Sequence, residues 1–119
     1  MATRVAVIGA GSWGTAAACL ASRNVATVLW ARSPELADEM ARTHVNKRYL
    51  PEYALHDDLT VTSSLREALD GTDVVVMAVP SHGFRDVLTE ARPLIEDAAP
   101  VVSLSKGVEQ ASLMRMTEV

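Results

Sequence analysis

The stretch Arg4-Val-Ala-Val-Ile-Gly-Ala-Gly-Ser-Trp-Gly-Thr-Ala-Ala-Ala18 decides the fold. Apolar residues lead into glycines at positions 9, 11 and 14, and a run of small residues follows. Arg4–Ile8 reads as a buried strand and Thr15–Arg23 as a helix, so the glycines fill the turn between them. Their spacing is G-x-G-x-x-G, and each glycine has its own task. Gly9 permits a tight turn out of the strand. Gly11 lets the backbone approach a pyrophosphate, and Gly14 lets the helix pack closely on the sheet. The start of the helix then offers unpaired N–H groups and partial positive charge to phosphate. The motif in this setting implies dinucleotide binding.

The second strand indicates which dinucleotide. It is expected over Ala26–Ala31 and ends in Leu29-Trp-Ala-Arg-Ser33. An acidic residue at its end would bond the adenosine ribose 2′-hydroxyl and favour NAD. Arg32 and Ser33 stand there instead. A guanidinium can pair with a 2′-phosphate, which favours NADP(H), with NAD(H) possible. The plainer reading has Arg32 stacked on the adenine or free in solvent.

Outward from this unit, strand-like runs alternate with helical segments. Ser33 and Pro34 suit the cap and first residue of a helix ending near Thr43. His44–Asp57 has no clean period and reads as an ordered loop. Leu59–Thr62 is a short third strand, and Ser64 to Glu67 fits a capping box for a short helix that Gly71 terminates. Asp73–Val79 is apolar almost throughout, as a strand covered on both faces should be. Ser81 suits the cap of a helix reaching about Arg92, Pro100–Ser105 is a fifth strand, and a further helix begins near Ser112. The expected fold is α/β: a Rossmann-type doubly wound, mostly parallel sheet. Residues 1–119 form one NAD(P)-binding domain, expected to be part of a two-domain enzyme because the chain stops inside an element.

Composition narrows the partners. Of 119 residues, 49% are apolar and 22% charged, the balance of a globular domain, and the formal charge of −4 argues against nucleic acid. No apolar run approaches the length of a spanning helix, and the start lacks a signal peptide's long apolar core. With the single cysteine, Cys19, this gives a cytoplasmic, soluble expectation with no membrane partner. No set of ligands suggests a metal.

The segments Gly9-Ala-Gly-Ser-Trp-Gly-Thr-Ala16, Trp30-Ala-Arg32, Asn46-Lys-Arg-Tyr-Leu-Pro51, Val75-Val-Met-Ala-Val-Pro-Ser-His82 and Ser103-Leu-Ser-Lys-Gly-Val-Glu109 occur in that order. Together they resemble the N-terminal half of bacterial NAD(P)-dependent glycerol-3-phosphate dehydrogenases, over essentially the whole chain. The resemblance implies reversible reduction of dihydroxyacetone phosphate to sn-glycerol 3-phosphate for phospholipid synthesis, with a homodimer possible for the full-length enzyme. It implies cofactor contacts at Ser12 and Trp13, and an adenosine side lined by Arg32, Ser33 and Tyr49. Lys106 would lie where cofactor and substrate meet; its place at a strand's carboxyl end suits that role. The resembled enzymes carry their acid/base lysine and phosphate-binding residues in a helical C-terminal domain. No catalytic residue is therefore expected within this chain, and little turnover by it alone.

Some positions stay open. Pro80 and Ser81 suit a pocket wall, His82 is more readily structural than catalytic, and Asn46, Lys47 and Arg48 form either a basic rim or a solvated loop. Two other function classes compete: a different β-hydroxyacid or ketoacid reductase, and a nucleotide-sensing module without catalysis.

Overall fold

Alternate residues of the central strands point to opposite sides of the sheet, and both sides are buried. The computed structural model describes residues 3–80, 83–95 and 99–104. In β1 (Arg4–Ile8) and β2 (Ala26–Trp30), Ala6, Ile8, Val28 and Trp30 enter one apolar cluster, while Val7 and Leu29 enter another. Strands buried on both faces need helices on both faces, which is the doubly wound arrangement. α1 (Ser12–Ser22) and α2 (Pro34–Thr43) cover the second cluster with Ala18, Ala37 and Met40. α3 (Leu65–Leu69) and α4 (Phe84–Ala91) cover the first with Ala68, Leu69, Phe84, Val87 and Ala91.

Three further strands complete the main sheet: β5 (Thr60–Thr62), β6 (Val74–Met77) and β7 (Val101–Ser103). Among the described residues the main sheet has five strands in the order β5-β2-β1-β6-β7, every neighbouring pair parallel. The chain runs outward from β1 to β2 and β5, then returns to place β6 on the other side of β1. This reversal is the topological switch point, and open sheets of this kind bind ligands beyond the carboxyl ends of the strands there.

The strands and helices expected within the described residues are present, with ends displaced by one to three residues; α4 starts at Phe84 with Gly83 as its N-cap, later than a cap at Ser81 would place it. Ser33 caps α2, its Oγ accepting the Leu36 N–H at 3.2 Å, with Pro34 as the first helical residue. Ser64 caps α3 by accepting the Glu67 N–H at 3.3 Å, and Gly71 follows with φ +66°. The return arm of this capping box passes through Thr62: its hydroxyl accepts the Ser64 N–H at 3.1 Å and donates to Glu67 Oε2 at 2.8 Å.

Two expectations need correction. α1 begins at Ser12 rather than Thr15, because Gly11 takes an extended conformation as its N-cap and Gly14 lies inside the first turn. Residues 44–57 are not simply a loop. β3 (Val45–Asn46) and β4 (Leu50–Ala54) pair as a short antiparallel hairpin with a register shift at Val45/Asn46. Ser81, His82 and the segment from Ser105, with Lys106 and the helix expected near Ser112, lie outside the described residues. No helix among the described residues is long and apolar enough to cross a membrane.

Candidate functional site

Backbone geometry at the glycine turn explains why the sequence needs glycine twice. Gly9 has φ +126°, and a Cβ there would stand 2.7 Å from the Ala78 carbonyl group. The turn thus lies against the end of β6, with its exit fixed by Gly9 N–H donating to Trp30 O at 3.0 Å. A Cβ on Gly14 would run into the Gly9 carbonyl oxygen and come within 3.1 Å of the Ala78 methyl. Gly14 is what allows α1 to start directly over the turn. Gly11 differs: a Cβ there would meet nothing within 4 Å. Its requirement, if steric, comes from outside the fold.

Beyond the carboxyl ends of β1, β2 and β6 opens a cleft of ≈ 860 Å³. Gly9, Gly11, Ser12, Trp13, Arg32, Ser33 and Tyr49 all line it, although they come from three separate segments of the sequence. Arg48, Trp30, Leu36, Val79, Pro80 and Leu104 also line it. Gly14 is buried beneath the turn and serves the packing. Lys106 lies outside the described residues.

The electrostatics of the cleft favour an anion. α1 has no side-chain cap at its N-terminus, so the amides of its first turn remain available beside Gly11. Two arginines and no carboxylate stand among the described lining residues, in a chain whose formal charge is −4. No described carboxylate lies within ion-pair distance of Arg32 or Arg48. Arg48 instead places its guanidinium carbon 5.3 Å from the Tyr49 ring centre, a cation–π distance. Trp13 is 78% exposed on the first turn of α1 and projects an unburied indole at the cleft.

Ser33 is more committed than its sequence position suggests. Its hydroxyl accepts from Leu36 N–H and donates to Glu35 Oε2 at 3.0 Å. The Glu35 carboxyl is held below the ordinary carboxylate value, first by its own backbone N–H and then by this hydroxyl. Ser33 therefore lines the cleft chiefly as part of the α2 cap. Among the described residues, no group of three or more His, Cys, Asp or Glu side chains is placed to hold a metal.

Asn46 was not separable from a solvated basic rim in the sequence, and the structure places it elsewhere. Its side chain is fully buried and bonded to the glycine turn and α1. Lys47 faces Glu39 at 4.0 Å, and only Arg48 of that trio lines the cleft.

A model of the family described as NAD-dependent glycerol-3-phosphate dehydrogenase N-terminus matches residues 4–119. The chain belongs to this family. Within it, a glycerol-3-phosphate dehydrogenase (NAD(P)+) 2 of Sphingopyxis alaskensis is 50% identical over 119 residues, covering 100% of this chain and 36% of the relative. A glycerol-3-phosphate dehydrogenase (NAD(P)+) of Mycobacterium avium is 48% identical over 117 residues, covering 98% of this chain and 34% of the relative. The chain thus spans about a third of the length of the curated relatives it matches. The crystal structure of glycerol-3-phosphate dehydrogenase from Coxiella burnetii superposes with a TM-score of 0.90 at 35% identity, over 98% of this chain and 36% of that one. A ketopantoate reductase from Ralstonia eutropha, at 23% identity and a TM-score of 0.76, shares the fold alone. The whole-chain family match separates this chain from that other class of reductase.

Proposed function

We propose that this chain is the nucleotide-binding domain of an NAD(P)H-dependent glycerol-3-phosphate dehydrogenase. The observation that carries the reading is the cleft itself. It stands at the switch point of a parallel sheet, under an uncapped helix start, with two arginines and no carboxylate on its described walls. The fit to a dinucleotide is good where it can be tested in the fold: at Gly11 a Cβ would have open space around it, so a pyrophosphate can approach the backbone.

In this reading Gly11 and the amides of Ser12, Trp13 and Gly14 hold the pyrophosphate. Arg32 pairs with a 2′-phosphate and makes NADP(H) the favoured cofactor, with NAD(H) accepted. Tyr49 and Ser33 border the adenosine, and Lys106 stands where cofactor and substrate meet. When bound, the reduced nicotinamide supplies the hydride that converts dihydroxyacetone phosphate to sn-glycerol 3-phosphate, a phospholipid precursor. The described lining residues include no His, Lys, Asp or Glu to move the accompanying proton. Their part is to bind and orient the carrier.

The test is a calorimetric titration of the chain with NADPH and NADH, repeated on Arg32→Asp. Saturable binding of both, tighter for NADPH, is expected. The substitution should weaken NADPH about ten- to a hundredfold more than NADH, the scale of a lost charge-assisted bond. A folded chain that binds neither nucleotide would contradict the reading. Equal losses for both would remove only the 2′-phosphate assignment.

A further inference from the structure

A buried amide joins the glycine turn to the hairpin across the cleft. Asn46, at 0% exposure, donates from Nδ2 to the Ala10 carbonyl oxygen and to Thr15 Oγ1, each at 2.8 Å. Its Oδ1 accepts the Tyr49 N–H at 3.2 Å. The Tyr49 carbonyl oxygen in turn accepts the Ser12 hydroxyl proton at 2.7 Å. Both backbone polar groups of Tyr49 are therefore tied to the start of α1, one directly and one through Asn46. Burying an amide is costly unless its partners are met, and an apolar side chain of similar size would fill the space without that demand. The partners here belong to the element that lines the cleft.

Between the two tied positions lie two cations with different fates. Lys47 turns to Glu39, whereas Arg48 lines the cleft against the Tyr49 ring. The anchors are Ala10, Ser12 and Thr15, so the turn is fixed beside the uncapped amides of α1 rather than to the end of β2, where Arg32 stands. We infer that Asn46 is a positioning residue of the nucleotide site, holding Arg48 beside the glycine turn as a second phosphate-binding cation directed at the pyrophosphate. This rests on the nucleotide reading proposed above. It gives the arginines separate signatures: Arg32 distinguishes NADPH from NADH, and Arg48 serves both alike.

The experiment is a double-mutant cycle read by calorimetric titration of the chain with NADPH and NADH, with circular dichroism to confirm folding. Arg48→Ala is expected to weaken both nucleotides by a similar factor of about ten. Asn46→Leu, which keeps the branched side-chain shape and removes all three hydrogen bonds, should weaken both similarly, and Arg48→Ala added to it should cost nothing further. A purely structural asparagine would lower the melting temperature while leaving the Arg48 factor intact, so the two losses would multiply. That result overturns the proposal, as does an Arg48→Ala protein that binds like the parent. Should Asn46→Leu fail to fold, Ser12→Ala removes the other tie from the surface. It must then shrink the Arg48 factor, and an unchanged factor overturns the proposal. A folded parent chain that binds neither nucleotide would fail the underlying reading instead, and is seen before any variant is made.

Discussion

The Asn46 amide nitrogen stands 2.8 Å from the Ala10 carbonyl oxygen, across 36 positions of sequence, inside the turn that the glycines create. Through it the hairpin and the glycine turn become one polar unit, because the same amide also holds Thr15 Oγ1 and the Tyr49 N–H. The Asn46 and Thr15 side chains are both fully buried. Asn46→Ala leaves their hydrogen-bonding partners unmet and opens a small cavity, so the chain is expected to lose about 2–4 kcal/mol of stability. Urea unfolding followed by circular dichroism measures it. A loss under about 0.5 kcal/mol, the usual scale of a surface change, would show that the amide is not structurally required.

The three glycines should separate cleanly. Gly9→Ala places a Cβ 2.7 Å from the Ala78 carbonyl group at a φ of +126°, and Gly14→Ala drives one into the Gly9 carbonyl. Each is expected to destabilise the fold by about 1–3 kcal/mol or more, through overpacking and backbone strain. Gly11→Val puts its Cβ where no other atom lies within 4 Å, at an extended N-cap. Its stability is expected to fall by no more than about 1 kcal/mol, while nucleotide binding is abolished. Thermal unfolding beside a titration distinguishes the two kinds of glycine; retained binding by folded Gly11→Val would misplace the pyrophosphate.

Trp13 offers the opposite case, an exposed aromatic with no packing duty. With the side chain 78% exposed, Trp13→Ala is expected to leave the melting temperature within the scatter of surface substitutions, about ±0.5 kcal/mol. The affinity for NADPH should nevertheless fall several-fold, because the indole stands at the mouth of the cleft. Unchanged affinity in a folded variant would remove Trp13 from the site.

Glu35 sets the expected pH response of the α2 start. Its carboxyl lies below the ordinary value of 4.5 because its own backbone N–H and the Ser33 hydroxyl bond the ionised form. A carboxyl depressed by folding stabilises the protein above its unfolded value, and that contribution fades as pH falls through the lowered one. Stability should therefore decline below about pH 4.5 less steeply in Glu35→Gln than in the parent. Parallel acid-side curves from denaturant titrations would show that the fully exposed carboxylate is screened into silence.

The fold was legible where one short pattern carries the physics. Apolar runs with burial on both faces give β1, β2 and β6, and the Ser33–Pro34 and Ser64–Glu67 pairs mark helix starts by local capping. Gly9, Gly11, Arg32 and Ser33 were nameable from motif and position, Ser12, Trp13 and Tyr49 from the family resemblance, and all seven line one cleft. The hairpin was not legible, because a two-residue strand with a register shift and a proline in its partner leaves no alternation to read. Nor was the early start of α1, since glycine is a poor helix former and Gly14 lies in the first turn. Asn46 failed for a third reason. Its bonding partners at Ala10 and Thr15 are distant in sequence, and a polar residue beside Lys47 and Arg48 looks solvated until the fold buries it.

The most direct test of the account is to map where NADPH touches the chain, by following backbone amide shifts in nuclear magnetic resonance spectra during a titration. The largest shifts are expected at Gly11, Ser12, Trp13 and Gly14, with a second group at Arg32, Arg48 and Tyr49, and little change along the outer face of α3. Saturable binding whose shifts centre away from the glycine turn, or a folded chain with no shifts at all, would contradict it.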